Sequence, residues 1–181
     1  PAILTPARGG RGRVLVFAAA MTSSGTPDSW AAHETHPGLF LLDDLSHASA
    51  DGLARHIASV RAPGDIVALS LHWGGNWGYD LSPEEIAFAH ALIDRAGVDI
   101  LHGHSSHHPK AIEVHRGKLI LYGCGDFVND YEGIGGYEAF RGDLVLGYVA
   151  RIDPADGTLK ALSLLPFRLR KFRLERASAE E

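Results

Sequence analysis

The chemistry-bearing residues of this chain are its histidines, eleven in 181 residues, and those between His72 and His107 sit where chemistry is done. His72 directly follows one apolar run; His102, Gly103 and His104 follow the next, and His107 and His108 come a few residues later. Neutral imidazole is a common transition-metal ligand, and imidazoles at the ends of neighbouring strands can converge on one ion. Gly103 is read as the tight turn that aims His104 and His107 at the same place. Singly, each is an ordinary loop histidine; together, His72, His104 and His107 are candidate metal ligands. His102 suits a core position as well as a site, and His108 and His115 are expected to face solvent.

Other residues surround this group. Trp73, Asn76, Trp77 and Tyr79 occupy or flank the glycine-rich loop 74–78. The tryptophans either wall a substrate or cover the sheet end as core, and Asn76 could donate to a substrate anion. Asp126 could hold the second ring nitrogen of a ligating histidine or act as general base. Asp130 and Glu132 are read as solvated turn carboxylates. His33 and His36 have the spacing of a helical metal pair, but Pro37 and Gly38 place them in a surface loop. The basic end, Arg168, Arg170, Lys171, Arg173 and Arg176, alternates with Phe167, Leu169, Phe172 and Leu174. It is either the wet face of an edge strand or a stripe attracting a polyanion. The single cysteine, Cys124, excludes an internal disulfide or a Cys-based zinc site and reads as a small buried residue.

The elements that must position these residues follow from local pattern. An apolar run at 13–20 is a buried strand, followed by a long loop at 22–38. Ser46 opens a helix with Leu53, Ile57 and Val60 on one face, stopped by Pro63 and Gly64. Residues 65–71 form a second strand ending at His72. Ser82, Pro83 and Glu85 mark a capped helix start, and 98–101 form a third strand. This alternation predicts a parallel sheet with crossover helices, whose functional groups collect beyond the strands' carboxyl ends. Hairpins are then expected at 111–122 and 143–165, so the fold class is α/β, or mixed α+β, parallel first and antiparallel later. Residues 1–12 are read as a linker joining two halves of a larger unit, 13–176 as one domain half, and 177–181 as a frayed tail. A formal net charge of -5 gives no general attraction to nucleic acid or an anionic membrane. No apolar run reaches the roughly 18 residues of a membrane span, and nothing in the sequence fixes a localisation.

Ser70-Leu-His-Trp-Gly74, Gly103-His-Ser-Ser-His107, the segment from Ala111 to Tyr122, and Gly125-Asp-Phe127 together resemble the CapA proteins of poly-γ-glutamate capsule synthesis. The likeness runs over roughly 13–173. It implies the calcineurin-like metallophosphoesterase superfamily, a four-layer α/β/β/α sandwich, with two divalent metal ions (Mn, Fe or Zn). By the resemblance, His72 matches a single strand-end histidine, and His104 and His107 match a Gly-His-x-His element stretched by one residue. Two such ions would clamp a tetrahedral centre and generate hydroxide at neutral pH. Asp126 stands where the family usually has Asn. The superfamily's Asp-x-His, Gly-Asp and Asn-His-(Glu/Asp) motifs are not found here, and they are expected in an N-terminal half, in the same or a separate chain. The reading is thus a C-terminal half of a metal-dependent hydrolase acting on an anionic polymer or a phosphorylated or acyl substrate, inactive alone. The alternative is a non-catalytic module that binds an anionic polymer or partner enzymes.

Overall fold

The computed structural model describes residues 2–4, 12–129 and 134–178. Its frame is a seven-stranded sheet: β1 (Ala2–Leu4), β2 (Val14–Met21), β3 (Leu41–Leu42), β4 (Ile66–His72), β5 (Ile100–His104), β6 (Ile112–His115) and β7 (Lys118–Leu121). The strand order is β1-β2-β4-β5-β7-β6, with β3 pairing beside β2. Strands β2, β4, β5 and β7 run parallel, and β1 and β6 are antiparallel edges. The first residues, expected to be linker, therefore begin as a strand; the rest of that segment, 5–11, lies outside the described residues.

The two crossovers are α1 (His47–Ala58) and α2 (Pro83–Asp94). The Ser46 hydroxyl accepts from Ser49 N, and Ser82 and Glu85 form a reciprocal capping box. These bonds satisfy amide groups that the first helical turn leaves without partners. Leu53 and Ile57 of α1, with Phe88 and Leu92 of α2, pack on one face of the sheet against Leu15, Phe17, Val67, Leu69, Leu71 and Leu101. Alternation along each strand turns the intervening residues to the opposite face: Ile66, Ala68, Ser70 and His72 from β4, and Ile100, His102 and His104 from β5.

Strands β8 (Leu144–Ile152), β9 (Leu159–Arg170) and β10 (Arg173–Arg176) form a second, antiparallel sheet. Its Tyr148, Leu159 and Leu162 pack on Ile100, Leu119, Leu121 and Cys124. The result is an α/β sandwich layered helix, sheet, sheet; the described residues build no second helical layer. The basic end is the β9–β10 hairpin, with β10 as the expected edge strand. Lys171 and Phe172 both take positive φ, 50° and 58°, the backbone a two-residue hairpin turn requires. Of the tail, Ala177 N still donates to Pro166 O, and 179–181 lie outside the described residues. Among the described residues no helix is long and apolar enough to cross a membrane.

Candidate metal centre

Parallel pairing sets β4 and β5 in a register that puts His72 directly beside His104. Both side chains stand on the face away from the helices, and their Nδ1 atoms are 3.1 Å apart. Two ring nitrogens at that distance either share one proton or face a common cation. Adjacent ligands of a four-coordinate zinc are about 3.3 Å apart, from bond lengths near 2 Å and tetrahedral angles. Burial pushes the His72 imidazole below its ordinary range. Burial, with His102 and His72 close by, holds His104 down to about 4. Both are therefore neutral at physiological pH, the form that ligates.

The third expected ligand lies beyond the strand. His107 N donates to Asn76 O at 3.1 Å, and its Nδ1 faces both oxygens of Asp126, at 3.1 and 3.2 Å. A carboxylate at Nδ1 fixes the tautomer, so that Nε2 carries the ring's lone pair. Asn129 adds a bond to the same carboxylate at 3.2 Å. The loop from His104 to His107 is pinned throughout. Ser105 Oγ donates to Gly74 O at 3.0 Å, and Ser106 Oγ donates to His108 O at 2.9 Å. Ser105 holds φ at 141°, a region non-glycine residues rarely enter, and such strain is retained where surrounding contacts enforce it.

Several expectations are corrected by this geometry. Strand β5 runs on through His102, Gly103 and His104 rather than ending at Leu101. The alternation turns His102 to the same face as His72 and His104, with its Nδ1 3.1 Å from Ser70 Oγ. The His-x-His spacing was the available signal for this third imidazole. Gly103 makes no left-handed turn. It sits inside the strand, where a Cβ would come within 2.4 Å of Tyr122 O and 2.7 Å of Trp73 Nε1. Ligand atoms of His72, His104 and His107 do not all lie within 4.8 Å of one another. Among the described residues, the one trio of His, Cys, Asp or Glu with ligand atoms all within 4.8 Å is His90, Glu113 and His115.

His108 does not face solvent. It is 1% exposed, flanked by the rings of Trp77, Tyr79 and Phe140, and its Nε2 has no hydrogen-bond partner. Nor is His115 free in solvent: it is half-buried, with Nε2 3.1 Å from Asp94 Oδ1. Asp130 and Glu132 lie outside the described residues.

The two tryptophans separate. Trp73 is core: it stacks on Tyr122 at 6.1 Å and donates its indole N–H to Tyr122 O at 3.1 Å. Trp77 is half-buried beside the candidate ligand, 5.2 Å from the His107 ring and stacked on Tyr137 at 4.0 Å. It lines an open cavity of about 330 Å³ with Tyr137, Glu138 and Arg141. Asn76 is exposed, and its backbone carbonyl rather than its amide holds His107. His33 and His36 are exposed and pair through their backbones, as surface residues do.

Fold and site together define a mixed α/β sandwich domain with an imidazole-rich centre at the ends of its parallel strands. The chain belongs to the family described as bacterial capsule synthesis protein PGA_cap, whose model it matches over residues 1–131. A probable polyglutamine synthesis accessory protein of Mycobacterium tuberculosis is 54% identical over 167 residues, 92% of this chain and 44% of the relative. The capsule biosynthesis protein CapA of Bacillus anthracis is 34% identical over 84 residues, 44% of this chain and 20% of the relative. The PGA biosynthesis protein CapA of Bacillus subtilis is 38% identical over 74 residues, 41% and 19% of the two chains. The chain thus spans less than half the length of these relatives.

Proposed function

We propose that this chain supplies the histidine side of a binuclear metal centre in a CapA-like hydrolase that acts in poly-γ-glutamate synthesis or processing. The observation that carries the reading is the side-by-side pair His72 and His104, whose Nδ1 atoms stand 3.1 Å apart, a separation that suits two ligands of one cation. His72 and His104 would hold one divalent ion (Mn, Fe or Zn), and His107, backed by Asp126, would hold the other. Bound there, the pair of ions would polarise a tetrahedral or carbonyl centre and lower the pKa of bound water.

The chain's own residues do the positioning. Asp126 keeps His107 in one tautomer, Asn76 and Ser105 lock the loop that presents it, and Trp77 offers an aromatic wall beside it. Three imidazoles cannot neutralise two divalent charges, and carboxylates are the usual hard partners of such ions. The remainder of the protein is proposed to bring them, as the family resemblance implies. The open face carrying Ala68, Ser70 and His102 is where that remainder would pack.

Metal content of the full-length protein tests the reading, measured in wild type and in His104→Ala. Stoichiometric Mn, Fe or Zn in the wild type, reduced by at least half in the variant, is expected. Unchanged occupancy after the substitution would remove His104 from the ligand set.

A further inference from the structure

On the helix-covered side of the sheet, a second group of ligating side chains brings α2 against the edge hairpin β6–β7. His90 and Asp94 are one helical turn apart on α2 and so share a face. Glu113 and His115 alternate along β6 and so also share one. Glu113 pairs in register with Ile120, a core residue of the helix-facing layer. This group therefore lies on the opposite side of the sheet from His72 and His104.

The contacts are close and ordered. His90 Nε2 is 2.7 Å from Glu113 Oε1, and the buried Tyr122 hydroxyl donates to Glu113 Oε2 at 2.7 Å. His115 Nε2 is 3.1 Å from Asp94 Oδ1. The two imidazole rings stack, with centroids 3.9 Å apart and planes within 8°.

We propose that His90, Glu113 and His115 form a second, structural binding site for a zinc-type divalent cation, clamping α2 to the β6–β7 hairpin. One ligand atom from each lies within 4.8 Å of the other two, and two imidazoles with one carboxylate are a donor set zinc accepts. Supporting partners are in place: Tyr122 orients the Glu113 carboxylate, and Asp94 occupies one nitrogen of His115, leaving Nδ1 as its donor. The lone pairs of the stacked rings lie in nearly parallel planes. Capture of a cation therefore requires one ring to turn about its Cβ–Cγ bond, so that both imidazole lone pairs and a Glu113 oxygen aim at the ion. Because 17 residues, β5 among them, lie between the end of α2 and the start of β6, such a clamp would join two elements that are not consecutive in the chain. It takes no part in the chemistry proposed for the other face.

The test uses the full-length protein with His72→Ala and His104→Ala, so that the site on the other face is impaired, titrated with Zn²⁺ against a chromophoric chelator. A Zn²⁺ site should persist in this background and weaken by ~10-fold or more when His115→Ala or His90→Gln is added, a loss at least as large as that of an outer-shell partner. Melting temperature should rise with free Zn²⁺ only while His90 and His115 are intact. Zn²⁺ affinity and thermal shift that ignore both substitutions would overturn the proposal. Should either added variant fail to fold, Co²⁺ bound to the background protein decides. Strong visible absorption of four- or five-coordinate cobalt is expected, and weak six-coordinate absorption or none overturns the site. Loss of metal from His104→Ala alone bears on the first centre and leaves this one standing.

Discussion

Asp126 places both carboxylate oxygens within 3.2 Å of His107 Nδ1, and this pairing orients the candidate ligand most remote from the sheet. Asp126→Ala is expected to weaken metal binding at that position by ~10- to 100-fold, the usual cost of removing such a partner. Asp126→Asn keeps an acceptor oxygen and should lose less. Metal titration of the full-length protein separates the two, and equal losses would show that charge, not orientation, is what the residue contributes.

Trp73 fills the core with its ring and satisfies Tyr122 O with its indole N–H. Trp73→Phe should cost ~1–3 kcal/mol, because it leaves a buried carbonyl unpaired. Trp73→Ala should cost ~3–5 kcal/mol through cavity formation. Urea unfolding monitored by circular dichroism checks both.

Gly103 has backbone oxygens of Leu121 and Tyr122 within 2.7 Å of where a Cβ would stand. Backbone cannot swing aside as a side chain can. Gly103→Ala should therefore destabilise by about 3 kcal/mol or more and disturb His104 beside it. A melting temperature near that of wild type would contradict the packing described.

The Asp65 carboxylate is buried and bonded to the Arg13 guanidinium and to Ala62 N, at 2.9 and 2.8 Å. Arg13 first, then the backbone bond, lower it from its ordinary 3.8 to about 2. Depression of a folded-state carboxylate pKa favours the native state above the unfolded value. This contribution is complete above about pH 4 and is lost as pH falls towards 2. In Asp65→Asn that part of the acid sensitivity should be absent, which urea midpoints between pH 2 and 5 would reveal.

Burial pushes the Cys124 thiol up to about 12. Since the thiolate is the nucleophile, Cys124 should resist aromatic disulfide reagents at pH 8 in the native protein. It should react fully once denaturant is added. Rapid native-state labelling would place the residue at the surface.

What the sequence made legible was local. The Ser82 and Glu85 capping box needs only a three-residue spacing, and strands β2 and β4 announce themselves as apolar runs. The end of β5 was missed because His102 and Gly103 interrupt the apolar run. Yet a strand with one open face tolerates imidazoles there, and the alternation continues unbroken. His108 was misplaced because its neighbours in sequence are polar, whereas the rings that bury it arrive from Tyr79 and Phe140, which belong to other segments. The grouping of His90 with Glu113 and His115 likewise depends on how α2 docks against an edge hairpin, a relationship no short window contains. The nearness of Asp126 to His107 spans 19 residues of sequence, and only the chemical use of a carboxylate beside an imidazole points to it in advance.

The side-by-side register of His72 and His104 also constrains how this protein can change over generations. A single residue inserted or deleted within β4 or β5 would turn one imidazole to the helix face and leave its partner behind. The long loop at 22–38 carries none of the candidate ligands and can absorb such changes with the two strands undisturbed. Length variation among descendants of this domain should therefore accumulate in that loop and be absent from the two strands, making the sheet the ruler that holds the two imidazoles in step.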